Sequence, residues 1–167
     1  MNVLLHLSPE VAIPFDESFF LRVAEETLKE CPPTLLLGKE EITLNVVAVS
    51  KERIQELNNT YRGKDAATDI LSFSEYADTE AFRADVQKQI FLGEIFFCQD
   101  VIMEGATEDA LTGAHEMIYV FSHGVLHLLG YDHCDEMFAI QDTVTASLVK
   151  QSLGEESAGS VFSDVLK

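Results

Sequence analysis

Three of the five histidines in this 167-residue chain, His123, His127 and His133, fall within eleven consecutive positions. Residues four apart lie on one face of a helix, about 5–6 Å from each other, which suits two imidazoles that bind the same ion. Gly130 is predicted to end that helix, so that His133 can fold back toward the same point. Three protein ligands leave a fourth position open, as in catalytic zinc sites. The sequence therefore predicts one divalent ion per chain, with zinc favoured, although imidazole also suits other ions such as nickel.

The residue after the first histidine bears on the type of reaction. The histidine spacing, including Gly130, is that of the metzincin protease pattern H-E-x-x-H-x-x-G-x-x-H. The glutamate of that pattern is the general base of those proteases, and this chain has Gly124 in its place. We therefore expect a metal-dependent hydrolase with a different substrate. A peptidase-like hydrolase whose base comes from elsewhere in the chain remains the alternative.

The charge of the chain limits how it could bind a phosphate. Eleven basic against 29 acidic residues give a formal net charge of −18, which argues against tight nucleic-acid binding over a broad surface. Four of the basic residues fall within fourteen positions, at Lys51, Arg53, Arg62 and Lys64. A phosphate at the histidine site would therefore be held by this short segment or by the metal.

The hydropathy pattern also bears on location. No apolar run reaches the roughly 18 residues needed to cross a bilayer. The first residues lack the basic region and cleavage site of a secretory signal. We expect a cytoplasmic protein with no membrane segment.

Apolar periodicity and capping residues predict the elements that must position the histidines. The acidic segment 75–89 is predicted to be either a surface loop or a short helix. Strands are predicted at 2–7, 42–49, 70–73 and 90–98, and helices at about 16–31, 50–61, 107–130 and 135–153. This order indicates an α+β fold, with a mixed sheet of about four strands, helices packed on it, and the metal site at the end of a long helix. One metallohydrolase domain is expected over residues 1–153, followed by a flexible tail over 154–167.

Three stretches of the chain resemble one known family. The segment from His123 to His133, HGVLHLLGYDH, resembles the signature of the YbeY family, which are bacterial metal-dependent endoribonucleases of rRNA maturation. The stretch from Leu57 to Phe73 resembles the second motif of that family, and Leu-Gly-Glu-Ile at 92–95 resembles the strand that comes after this motif in its members. Ser74 stands where the family usually has proline, a difference expected to alter only the stiffness of the loop.

The resemblance implies an activity and a partner. It implies a zinc-dependent endoribonuclease that cuts single-stranded RNA, matures the 3′ end of 16S rRNA and takes part in ribosome quality control. The implied partners are 16S rRNA and the ribosome or a small-subunit ribosomal protein. A non-catalytic ribosome assembly factor, in which the metal only stabilises the fold, is a further alternative.

The resemblance also singles out Arg62, whose guanidinium could hold a phosphate through two hydrogen bonds and offset negative charge in the transition state. Lys64 would add a point charge for substrate binding. From the residues alone, Arg62 could equally pair with Asp65 or Asp69, and Lys64 could be a solvated loop residue. Asp132 could orient one of the histidines, or it could serve only as a turn or capping residue.

Overall fold

The computed structural model describes residues 1–156, which form four strands and six helices. The strands are β1 (Asn2–Pro9), β2 (Glu41–Ala48), β3 (Ile70–Ser74) and β4 (Gln89–Phe97). The helices are α1 (Glu17–Glu30), α2 (Lys51–Arg62), α3 (Thr79–Ala84), α4 (Gln99–Glu108), α5 (Gly113–Leu128) and α6 (Asp135–Glu156). No helix in this part of the chain has the length and apolar character that a membrane span requires.

The strands form one mixed sheet in the order β1-β2-β4-β3. The pairs β1–β2 and β2–β4 are parallel, and β3 runs antiparallel to β4 at one edge of the sheet. This confirms the predicted α+β fold with a mixed sheet of four strands. The segment for which the sequence left two alternatives contains the short helix α3, which begins after the capping carboxylate of Asp78.

The two faces of the sheet pack against different helices. One face supports the main core, in which α5 lies centrally between α1, α4 and α6. The other face carries a smaller cluster beneath α2, formed by Val49, Ile54, Leu57, Leu71 and Cys98. Because α2 and α5 lie on opposite faces, residues of the two helices can meet only around the β3 edge.

The helix predicted over 107–130 begins too early, because α5 starts only at Gly113 and residues 107–108 end α4, a helix that the sequence analysis did not predict. Between α4 and α5 the chain turns at Ala110, which has a φ of 55°. The Thr112 hydroxyl then accepts a hydrogen bond from the His115 N–H at 3.1 Å and begins α5. The apolar repeat continues through the break, so periodicity alone predicts one helix where a capping threonine starts a second.

The last helix extends further than the sequence predicts. The sequence places its end near residue 153, whereas α6 runs to Glu156. The rest of the expected tail, residues 157–167, lies outside the described residues. The assignment of residues 1–153 to a single domain stays a prediction.

Candidate metal centre

The C-terminus of α5 brings the three histidines together. Gly130 adopts a φ of 89°, and its N–H donates to the His127 carbonyl at 3.0 Å. The Tyr131 N–H donates to the Leu126 carbonyl at 3.1 Å. These two bonds form a Schellman motif, which reverses the chain just after the helix and satisfies two of its terminal carbonyls. The reversal returns His133 to the side of the helix that carries His123 and His127.

The turn is also fixed by close packing against α3. A Cβ atom on Gly130 would lie 2.2 Å from the Asp78 carbonyl carbon. The Ser74 hydroxyl donates to the Leu128 carbonyl at 2.7 Å and accepts from the Tyr76 N–H at 2.9 Å. Ser74, expected to alter only loop stiffness, therefore also ties the end of β3 to the last turn of α5.

The imidazole nitrogens converge on one point. The Nε2 atom of His127 lies 2.9 Å from that of His123 and 3.2 Å from that of His133, and the remaining pair is 3.2 Å apart. Zinc–nitrogen bonds of about 2.0–2.1 Å in a tetrahedral site place neighbouring nitrogens about 3.3 Å apart. The three separations are therefore close to those of one face of a metal coordination tetrahedron.

Hydrogen bonds on the far side of the rings leave these Nε2 atoms as electron-pair donors. The Nδ1 atom of His127 lies 2.9 Å from the Tyr131 carbonyl oxygen, which can only accept, so Nδ1 carries the proton. The Nδ1 atom of His123 lies 3.2 Å from Gln141 Oε1. The Gln141 amide is oriented by its own N–H, which donates to the Tyr119 carbonyl at 3.0 Å. Neutral rings of this tautomer present bare Nε2 lone pairs toward a shared ion.

Burial favours the same neutral state. Desolvation lowers the pKa of His123 and of His127, and the nearby Arg62 guanidinium lowers that of His127 further. Neutral imidazole is the form that binds metals. Because the three Nε2 atoms converge and the rings of His123 and His127 are held as lone-pair donors, the donor set fits a divalent cation.

The cavity at this cluster has a volume of about 320 Å³, and residues of α2 and β3 also line it. Arg62, at the end of α2, reaches around the edge of the sheet, and its Nη2 donates to the Ser72 carbonyl at 3.4 Å. The side chain is exposed and lines the cavity together with the histidines. Its hydrogen-bond partner is thus an edge-strand carbonyl rather than Asp65 or Asp69.

The other two predicted residues are placed differently. Lys64 is exposed and is not among the described residues that line the cavity. Asp132 is also exposed, and its carboxylate accepts a hydrogen bond from the His133 backbone N–H at 2.8 Å. This bond matches the turn role that the sequence left open for Asp132.

Gly124 packs against the sheet. A Cβ atom there would lie 2.7 Å from Ile70 Cδ1 and 3.2 Å from Ser72 Oγ, where α5 crosses the sheet. A larger side chain at this position would press into the β3 strand. The position that holds the general base of metzincins is therefore used here for close helix–sheet packing.

Several residues of the cavity were not identified from the sequence. Gln141 comes 18 positions after His123 along the chain, and no sequence spacing links the two before α5 and α6 are known to pack together. Asp69 is the one acidic residue among the described residues of the lining, and its Oδ1 accepts from the Ile70 N–H at 2.7 Å. The aromatic rings of Tyr119 and Phe138 complete the lining. The acidic residue lies within the stretch that resembles the second family motif, which is the one signal in the sequence that could have found it.

Comparisons with known proteins show the family to which the chain belongs. Residues 10–149 match the family model described as Endoribonuclease YbeY. The chain is 39% identical over 112 residues to the Endoribonuclease YbeY of Staphylococcus aureus strains JH9 and Newman, covering 64% of this chain and 72% of each relative. The solution structure of TM1509 from Thermotoga maritima aligns with a TM-score of 0.56 at 28% identity, covering 96% of this chain and 97% of that one. The resemblance to the YbeY family is thereby confirmed, and this chain belongs to that family.

Proposed function

We propose that this protein is a zinc-dependent endoribonuclease that cuts single-stranded RNA in the maturation of the 16S rRNA 3′ end and in ribosome quality control. Membership of the YbeY family carries the assignment as an endoribonuclease of rRNA processing. The single observation that supports the metal chemistry is the convergence of three Nε2 atoms within 3.2 Å of one another. Zinc, the single-strand preference, the ribosomal partner and the cytoplasmic location remain predictions.

The proposed roles depend on the position of each group. His123, His127 and His133 would hold the ion. A divalent ion at such a site supplies a Lewis acid for the phosphate and lowers the pKa of a bound water to about 7. Arg62 would bind the scissile phosphate from the opposite wall and offset the charge that develops on its oxygens.

The hydrogen-bond network behind the histidines would keep this arrangement rigid. Gln141 and the Tyr131 carbonyl hold two of the rings in place. Burial of the first two histidines keeps water away from one side of the cluster. His133 is exposed, and Arg62 lines the cavity that contains all three histidines.

The role of Arg62 is testable with a matched variant on the same helix. We expect Arg62→Ala to fold and to retain its metal but to lose about 100-fold or more in the cleavage rate of single-stranded RNA, because one donor to the transition state is removed. Arg53 is a suitable control, since it lies on α2 but pairs with Glu56 at the surface. Arg53→Ala should cut at the parental rate, and full cutting by Arg62→Ala would exclude Arg62 from the mechanism.

Assays of the metal-loaded protein also distinguish the nuclease from the two alternative functions, a peptidase-like hydrolase and a non-catalytic assembly factor. Metal-loaded protein should cut single-stranded RNA and leave an unfolded protein substrate intact. Cleavage of peptide but not RNA would favour the peptidase-like hydrolase. If neither substrate is cut while the metal-loaded protein binds ribosomal subunits, the non-catalytic assembly factor is favoured. Because a contaminating nuclease would be present in every variant preparation, loss of cutting in Arg62→Ala also assigns the activity to this chain.

A further inference from the structure

Two exposed aromatic rings lie at the cavity although a soluble protein usually buries such side chains. Phe138 is 40% exposed and Tyr119 is 37% exposed, and both line the cavity that contains the histidines and Arg62. Phe138 lies near the start of α6, where its neighbours Met137 and Ile140 are buried in the core. Phe138 therefore lies at the border of the buried face of α6, next to the cavity.

The Phe138 ring has a defined orientation relative to the metal cluster. It lies nearly parallel to the His133 imidazole, with an interplanar angle of 15° and ring centroids 5.9 Å apart. It is inclined by 28° to the His123 ring, with the centroids 6.4 Å apart. The ring therefore borders the histidines and lines the same cavity as they do. A nucleotide with its phosphate at the histidines would have this ring beside it.

Because the protein is strongly acidic, a contact with RNA that needs no positive charge would contribute to binding. With a net charge of −18, the protein gains little general attraction for RNA. Stacking of a base on an aromatic ring needs no positive charge and is tolerant of sequence. It does require an unpaired base that can turn out of its strand, because bases within a duplex are already stacked and paired.

We propose that Phe138 is a base-stacking platform, which receives the unpaired nucleobase next to the scissile phosphate and thereby selects single-stranded RNA. This inference deepens the proposed function and rests on it. The platform is a substrate-binding feature of α6, and Tyr119 borders it from α5.

Two small phosphate monoesters test the platform without any cleavage. Adenosine 5′-monophosphate carries a base and ribose 5-phosphate does not, so their affinities for metal-loaded protein, measured by calorimetry, isolate the contribution of the base. We expect the parental protein to bind the nucleotide about 5- to 150-fold more tightly, the range that base–aromatic stacking supplies. Absence of this preference would overturn the proposal.

Three variants distinguish stacking from simple packing against the imidazoles. Phe138→Leu should lose the preference for the nucleotide while keeping its metal content, whereas Phe138→Tyr should retain the preference. Phe91 is the matched control, since it is 42% exposed but lies on β4 outside the cavity lining. Phe91→Leu should behave as the parental protein. An unchanged preference in Phe138→Leu would mean that the ring only covers the histidines, and the proposal would fail.

A cleavage assay separates failure of this inference from failure of the proposed function. We expect Phe138→Leu to raise the KM for single-stranded RNA with little change in kcat. A parental protein that cuts RNA but shows no base preference would retain the proposed function and lose the platform. A base preference without cutting of any RNA would retain the base-binding surface while refuting the nuclease proposal.

Discussion

The side chain of Gln141 links two helices to the metal cluster. It is buried, its Oε1 faces His123 Nδ1 at 3.2 Å, and its Nε2 donates to the Tyr119 carbonyl at 3.0 Å. Both partners lie on α5, and the amide can satisfy them together only in the orientation that fixes the imidazole tautomer. Removing the hydrogen-bond partner of a metal-binding histidine typically lowers metal affinity by 10- to 100-fold.

Replacing Gln141 should weaken metal binding without removing a ligand. We expect Gln141→Leu to lose about 10- to 100-fold in zinc affinity, measured by competition with a chelator, because His123 loses the acceptor that orients it. Gln141→Glu keeps an acceptor and should retain more of the affinity. Gln151→Leu, an exposed change on the same helix, provides the control. Equal zinc affinities for Gln141→Leu and the parental protein would show that this amide does not position His123.

At the scale of elements, the turn after α5 decides whether the third histidine reaches the other two. Gly130 needs a positive φ, and its Cα lies so close to Asp78 that a Cβ would approach the Asp78 carbonyl oxygen to 2.4 Å. Gly38 has a similar φ of 83° but no atom within 4 Å of where a Cβ would be. Comparing alanine substitutions at the two positions therefore distinguishes the cost of backbone strain from the cost of a steric clash.

Alanine at these glycines should have unequal effects on stability. We expect Gly38→Ala to cost about 1–2 kcal/mol of unfolding free energy, which is the cost of a left-handed conformation for a residue with a Cβ. Gly130→Ala should cost about 2–5 kcal/mol, because overpacking adds to the same strain. Urea unfolding measures both values, and equal losses for the two variants would contradict the close packing between the turn and α3.

Sequence reasoning predicted the elements near the site more fully than their contacts. The strands, helix α1 and the histidine face of α5 can be predicted from local patterns, because each depends on residues close in the chain. The break between α4 and α5 depends on a capping threonine that an apolar repeat does not reveal. The approach of Arg62 around the β3 edge and of Gln141 from α6 depends on how elements pack, so no spacing in the sequence predicts it.

At the scale of the whole molecule, the dominant feature is an excess of negative charge. The sequence has 29 acidic and 11 basic residues, and the ion pairs among the described residues lie largely at the surface, where each contributes little. Net repulsion therefore opposes the compact state. The same field disfavours the approach of free RNA.

Screening this repulsion should stabilise the fold. We expect sodium chloride, raised from about 20 mM to about 0.5 M, to add on the order of 1 kcal/mol, or roughly 2–4 °C in Tm for a chain of this size. Differential scanning calorimetry at pH 7 measures the change, and potassium chloride should act equally because the effect is one of ionic strength. A Tm that falls with salt would show that attractive pairs outweigh the net repulsion.

Two histidines on α5 and one after its terminal turn are proposed to hold one catalytic metal ion. Elemental analysis of the purified protein tests this proposal most directly, when the parental chain is compared with His127→Ala and with His115→Ala, which alters a histidine on α5 outside the cluster. We predict one zinc ion per chain for the parental protein and for His115→Ala, and loss of the metal and of RNA cutting for His127→Ala. Full metal content in His127→Ala would contradict the proposed site.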